Sequence, residues 1–235
     1  MKKIINKVTF YYESSNIEES VLNDFFYIFK KDFSNINSFF DITCTPQIPI
    51  YIVTKTELDI FVKNTSSQYK NCDVPKWLDG FSTSKSIHIL TPNSDNMNGM
   101  VKVALHETVH FIIYQMELEQ PPLKVLDEGL AIYLSQQNTS KSFNLIVNEY
   151  LANQLKNLSD FCIYDTIKFA QLKGYQYSYY ITEFLILNYS KNDYINWLKN
   201  PNNFLKRLPS LDIKFRDHIT KIITLAIEKK LKKKT

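Results

Sequence analysis

The sequence predicts an α+β protein in which a small antiparallel, β-rich lobe over residues 1–97 precedes an all-α lobe over residues 98–235. Two observations predict this order. Apolar, β-branched runs bounded by turn residues, QIPIYIVT at Gln47–Thr54 and KSIHIL at Lys85–Leu90, both fall before Asn98. From Gly99 onward, apolar residues recur at helical spacing almost throughout. With 235 residues, 44% of them hydrophobic, the chain can bury a full core, either as one domain or as two lobes sharing a cleft.

A first strand is expected at Lys7–Tyr12. The following segment, about Glu18 to Phe33, puts Val21, Leu22, Phe25, Phe26 and Phe29 on one helical face, suited to packing on the sheet. The two β-branched strands come next, and the second closes at the turn-forming Thr91-Pro92-Asn93. Further helices are expected at 99–117, 126–137, 142–157, 175–189, 191–199 and 211–232. Pro121, Pro122, Pro201 and Pro209 fall between them, as residues that lack an amide donor and clash with a preceding helical turn should.

Charge and cysteine usage narrow the class. The formal net charge is +4, and Lys229, Lys230, Lys232, Lys233 and Lys234 crowd the end of an apolar-periodic stretch. Lysines there suit the negative end of a helix dipole. No aromatic residue interleaves with them as a base-stacking surface requires, so a solvated helix end is expected and a nucleic-acid partner is not. Cys44, Cys72 and Cys162 are odd in number, far apart and in no CxxC spacing, which predicts neither a disulfide framework nor a thiolate metal site. Met1–Ser15 lacks the apolar core of a signal peptide, and no apolar run of about 18 residues occurs elsewhere. A cytoplasmic protein without a membrane segment is expected.

The most informative segment is His106-Glu107-Thr108-Val109-His110, an HExxH sequence. On a helix, residues four apart share a face, so both imidazoles can address one ion. Glu107, three positions before His110, is adjacent on that surface and can reach a water at the ion without being a ligand. Val101, Val103, Ala104, Leu105, Val109, Phe111, Ile112 and Ile113 make the helix apolar nearly all round. Burying two histidines and a glutamate on such a helix is costly unless each is satisfied. Chance spacing is the competing reading, and only four histidines exist; His88 and His218 have no ligand spacing and are read as structural.

Eighteen positions after His110, beyond the turn at Pro121-Pro122, comes Leu126-Asp127-Glu128-Gly129-Leu130-Ala131. A catalytic zinc takes three protein ligands and keeps a fourth position open. Glu128 opens an apolar-periodic helix and is the candidate third ligand to one zinc ion. The alternative, an acid favoured by the helix dipole, is already met by Asp127.

HETVH followed by VLDEGLAIYL resembles the gluzincin zinc metallopeptidases, in particular the peptidase MA-like group related to the one-zinc aminopeptidases, whose HExxH helix is followed by an (N/D)EG(F/L)A helix. PKWLDGF at Pro75–Phe81, followed by KSIHIL, is similar to the segment that in this group precedes the active-site helix and forms the edge strand where extended substrate docks. Tyr175-Gln176-Tyr177-Ser178, leading into Phe184-Leu185, resembles the group's Tyr-x-x-(Ser/Gly) helix start, whose tyrosine assists the transition state; Tyr177, Tyr179 and Tyr180 are rivals to Tyr175.

The likeness covers about residues 46 to 220. It implies a zincin-like fold with its cleft between the two lobes, a peptide or protein substrate, His106, His110 and Glu128 as zinc ligands, Glu107 as general base and Tyr175 as oxyanion donor. Ile132 stands where some members hold an acid four positions after the ligand, so the groups orienting the histidines must come from elsewhere. The related aminopeptidases hold the substrate's free amine with an acidic residue beside the edge strand. The corresponding GFSTSKSIHIL contains no carboxylate, so an endopeptidase is expected before an aminopeptidase. A zinc-binding interaction protein that does not cleave is the other class, and Glu107, for which a structural site has no use, counts against it.

Overall fold

A computed structural model of the chain describes residues 1–13, 15, 17–42 and 47–232; Cys44, Lys233 and Lys234 lie outside them. The described residues form a mixed α/β structure with two compact units. One comprises Met1–Met116 with Leu134–Gln136, the other Glu117–Tyr133 with Gln137–Thr235.

The first unit holds a five-stranded sheet. Its strands are β1 (Lys2–Ile5), β2 (Val8–Tyr11), β3 (Ile48–Val53), β4 (Gly80–Ser82) and β5 (Ile87–Leu90), in the spatial order β1-β2-β3-β5-β4. The β1–β2 and β4–β5 pairs are antiparallel, whereas β2–β3 and β3–β5 are parallel. The antiparallel sheet expected from sequence is therefore corrected to a mixed one. The reason lies in the connections: α1 (Glu19–Phe40) runs between β2 and β3, and α2 (Lys55–Thr65) between β3 and β5. Connections of that length bring the chain back to start the next strand in the same direction.

Alternation along the strands gives the sheet two different faces. Phe10, Ile50, Ile87 and Ile89 are buried on one of them. The Phe10 ring lies 5.8, 5.1 and 4.9 Å from Phe25, Phe26 and Phe29 of α1. α3 (Met97–Tyr114) packs against α1 and against β3, β4 and β5. Each aromatic or aliphatic side chain fully buried in this way contributes about 1.5–3 kcal/mol.

On the opposite face, Tyr11, Tyr51, His88 and Phe81 are cross-strand neighbours in one row. Tyr11 stacks on Tyr51 and Tyr51 on His88, each at 4.8 Å, and Phe61 of α2 closes on the His88 ring at 3.5 Å. α2 starts with a capping box, in which Thr54 and Glu57 satisfy each other's backbone amides. It buries Leu58 and Val62, together with Val74, against Val53, Phe81 and Leu90.

The second unit is helical among its described residues, with α4 (Lys124–Leu134), α5 (Ser140–Leu151), α6 (Thr166–Gln171), α7 (Gly174–Asn188), α8 (Lys191–Lys199), α9 (Pro201–Leu205) and α10 (Leu208–Lys232), and a short 3₁₀ turn at Leu158–Phe161; α3, expected in the helical lobe, belongs to the first unit. Pro201 is the first residue of α9 and Pro209 the second of α10, positions whose missing N–H costs nothing. Tyr177, Phe184, Tyr194, Trp197, Phe204 and Phe215 make its aromatic core. His218 packs there too, 5.5 Å from the Phe184 ring. No described helix is long and apolar enough to cross a membrane.

Burial among rings pushes the His88 pKa down from 6.5 to about 4, only partly opposed by the Glu57 carboxylate. The folded protein then refuses a proton that the unfolded chain accepts. That contribution to stability is complete above pH 6.5 and is lost as the pH falls toward 4. Urea denaturation of His88→Phe across that interval should show a shallower loss of stability with acid than the parent protein shows.

Candidate metal centre

α3 is held on almost every side. Met100, Val101, Ala104, Leu105, Thr108, Val109, His110, Phe111, Ile112 and Ile113 are all buried, leaving His106 and Glu107 partly exposed. The Thr108 hydroxyl is satisfied within the helix by donating to the Ala104 carbonyl at 2.7 Å. His106 and His110, one turn apart, have rings 4.7 Å apart and inclined at 75°, with their Nε2 atoms separated by 3.0 Å. Two nitrogens bound tetrahedrally to zinc at their usual bond length lie roughly 3.3 Å apart. The two ring nitrogens are close enough to address one ion.

Glu107 is held from the sheet. Its Oε2 accepts a hydrogen bond from the Ser82 hydroxyl at 2.7 Å. A Cβ placed on Gly80 would come within 2.5 Å of Val103 Cγ1 and 3.0 Å of Glu107 Cγ. The absence of a side chain at residue 80 is what lets β4 lie directly on α3. β4 is the edge of the sheet and falls in the Pro75–Phe81 region and its continuation, while KSIHIL forms β5, one strand further in. Gln115, just after α3, donates to the Ser84 carbonyl at 2.7 Å and ties down the β4–β5 turn.

In the second unit, Asp127 and Glu128 are both buried near the start of α4. Lys124 Nζ lies 3.6 Å from Asp127 Oδ2 and 3.4 Å from Glu128 Oε1, the i,i+3 and i,i+4 spacings that adjoin on a helix. Gly129 permits close packing of α4 on α7, since a Cβ there would meet Thr182 Oγ1 at 2.4 Å and the Ser178 carbonyl at 3.3 Å. The buried Tyr194 hydroxyl donates to the Leu126 carbonyl at 2.9 Å and adds a second tie to α4. One ligand atom from each of His106, His110 and Glu128 lies within 4.8 Å of the other two. Two imidazole nitrogens and a carboxylate oxygen form a donor set that could hold a metal ion.

The tyrosines of α7 separate by what they touch. The Tyr177 hydroxyl donates to Glu149 Oε2 at 2.5 Å, and Asn138 donates to the Tyr180 hydroxyl at 3.2 Å. Tyr179 packs on Tyr133 and Tyr180. Tyr175, in the first turn, sets its ring edge-on to Phe169 at 5.2 Å. Glu149 also accepts from Lys173 at 2.7 Å and Lys156 at 3.0 Å. Burial by itself would raise its pKa, but these donors outweigh burial and hold the carboxyl below its usual value. Lys173 does this from a left-handed backbone, φ 64°, between α6 and α7. Burial pushes the Cys162 thiol up to about 12, so it is not a thiolate at neutral pH.

Sequence reasoning missed Ser82, Lys124 and Glu149. Lys124 was readable from its spacing to Asp127 and Glu128; Ser82 and Glu149 act across tertiary contacts that no local pattern announces. No protein-family model matches the chain, and no curated protein is recognisably similar to it.

Gly129→Ala must push Thr182 and the α7 backbone away from α4. The expected outcome is destabilisation by roughly 1–3 kcal/mol, measured by urea denaturation.

Proposed function

We propose that this chain is a zinc-dependent metallopeptidase of gluzincin type that hydrolyses internal peptide bonds. The observation that carries the reading is the trio of His106, His110 and Glu128, with one ligand atom each within 4.8 Å of the others and a glutamate next in sequence to the first histidine. In this reading those three residues would hold one zinc ion. A zincin-like architecture belongs to the same proposal, with β4 as the strand along which an extended peptide lies.

Bound zinc supplies Lewis acidity, polarising the carbonyl to be attacked and lowering the pKa of water. The chain's own groups carry the proton and the charge. Glu107 takes a proton from the attacking water and delivers it to the departing amine. Tyr175 donates a hydrogen bond to the oxygen on which negative charge develops. The lack of a carboxylate in GFSTSKSIHIL, where an aminopeptidase would hold a free amine, favours endopeptidase action. Peptide or protein substrates in the cytoplasm complete the reading; Cys72 and Cys162, both free thiols, fit a reducing compartment.

A proteome-derived peptide library digested by the zinc-loaded protein tests this. Glu107→Gln is expected to keep its zinc and to lose about a hundredfold to ten-thousandfold in kcat. A digest indistinguishable between parent and variant rejects the proposal. A chelator should abolish cleavage and stoichiometric zinc restore it. N-acetylated peptides should be cut as readily as free ones; their refusal would instead indicate an aminopeptidase.

A further inference from the structure

We infer that Ser82 is the positioning residue for the general base, an inference that rests on the peptidase reading above. Residues 80 and 82 of β4 point to the same side of the sheet, and both are buried, while Phe81 between them faces the other way toward Phe61 and His88. On that inner side Gly80 leaves room for the Glu107 side chain, and Ser82 supplies a hydroxyl to it. A buried hydroxyl needs a partner, and the one it has is the carboxylate of the residue that must move a proton.

The bond divides the labour of the two carboxylate oxygens. Oε2 accepts from Ser82 at 2.7 Å. Oε1 accepts from none of the described side chains and is the oxygen left to take a proton from water. A glutamate has several rotatable bonds, and without an anchor its carboxylate would sweep through orientations in which neither oxygen meets the water. β4 thus has two duties: its outer edge offers backbone groups to a peptide, and its inner side fixes the base. Substrate binding and proton transfer share one short strand.

The test compares Ser82→Ala and Ser82→Thr with the parent protein, all zinc-loaded, on a peptide that the parent cleaves. Ser82→Ala should lose about tenfold to a hundredfold in kcat with KM little changed, zinc content unaltered and thermal unfolding near the parental value. Ser82→Thr, which keeps the hydroxyl, should recover most of the loss. A crystal structure of Ser82→Ala should show the Glu107 carboxylate in more than one orientation. Parental kcat in Ser82→Ala overturns the inference. So does an equal loss in both variants accompanied by lowered thermal stability, which would mark a packing role. If the parent itself cleaves nothing, the peptidase reading falls first and this inference with it; if the parent cleaves and Ser82→Ala does so equally well, only this inference falls.

Discussion

Burying a helix on nearly all sides while leaving ionisable groups on it is tolerable only where those groups are satisfied. α3 is fixed in a particular way. Its apolar residues anchor it to α1 and to the sheet, its threonine bonds back to its own backbone, and its two imidazoles converge on each other across one turn. The packing therefore does more than stabilise. It removes the freedom of the backbone that carries both histidines and Glu107, so the relative placement of these groups is set by helix geometry and not by loop conformation.

The same logic recurs at α4. Gly129 and Tyr194 bring α4 against its neighbours, and Lys124 holds positive charge beside Asp127 and Glu128. Two acids buried side by side would repel each other, and an ammonium group at helical spacing relieves that cost. Glu149 solves the same problem with two lysines and a phenol. In each case a buried carboxylate is accompanied by cations from nearby in sequence or from the adjoining helix.

Much of this was legible in the residues. The α8 span of Lys191–Lys199 and the Gly174–Asn188 span of α7 follow the expected periodicity closely, because apolar spacing is regular in both and Ser190 with Asp193 caps the start of α8. α1 runs on past Phe33 to Phe40, since Asn and Ser positions in its last turns hide a face that still buries Ile36. Strand direction was not legible: period-two alternation looks the same in parallel and antiparallel pairs, and α2, whose Thr54-x-x-Glu57 start was present in the sequence, was the missing crossover. The HExxH pattern was readable because its geometry is local. What fixes Glu107 was not, because Ser82 lies 25 positions away and meets it only once the sheet has formed.

The brevity of β4 bears on how the protein avoids sticking to itself. A sheet that ends in a long, flat strand invites a second copy to add to it, and from there to aggregate. Three residues expose too few unpaired amides and carbonyls for such growth to propagate. At the opposite margin β1 carries Lys2 and Lys3, whose charges discourage the same event. Both margins of one small sheet thus carry features that disfavour pairing with another copy.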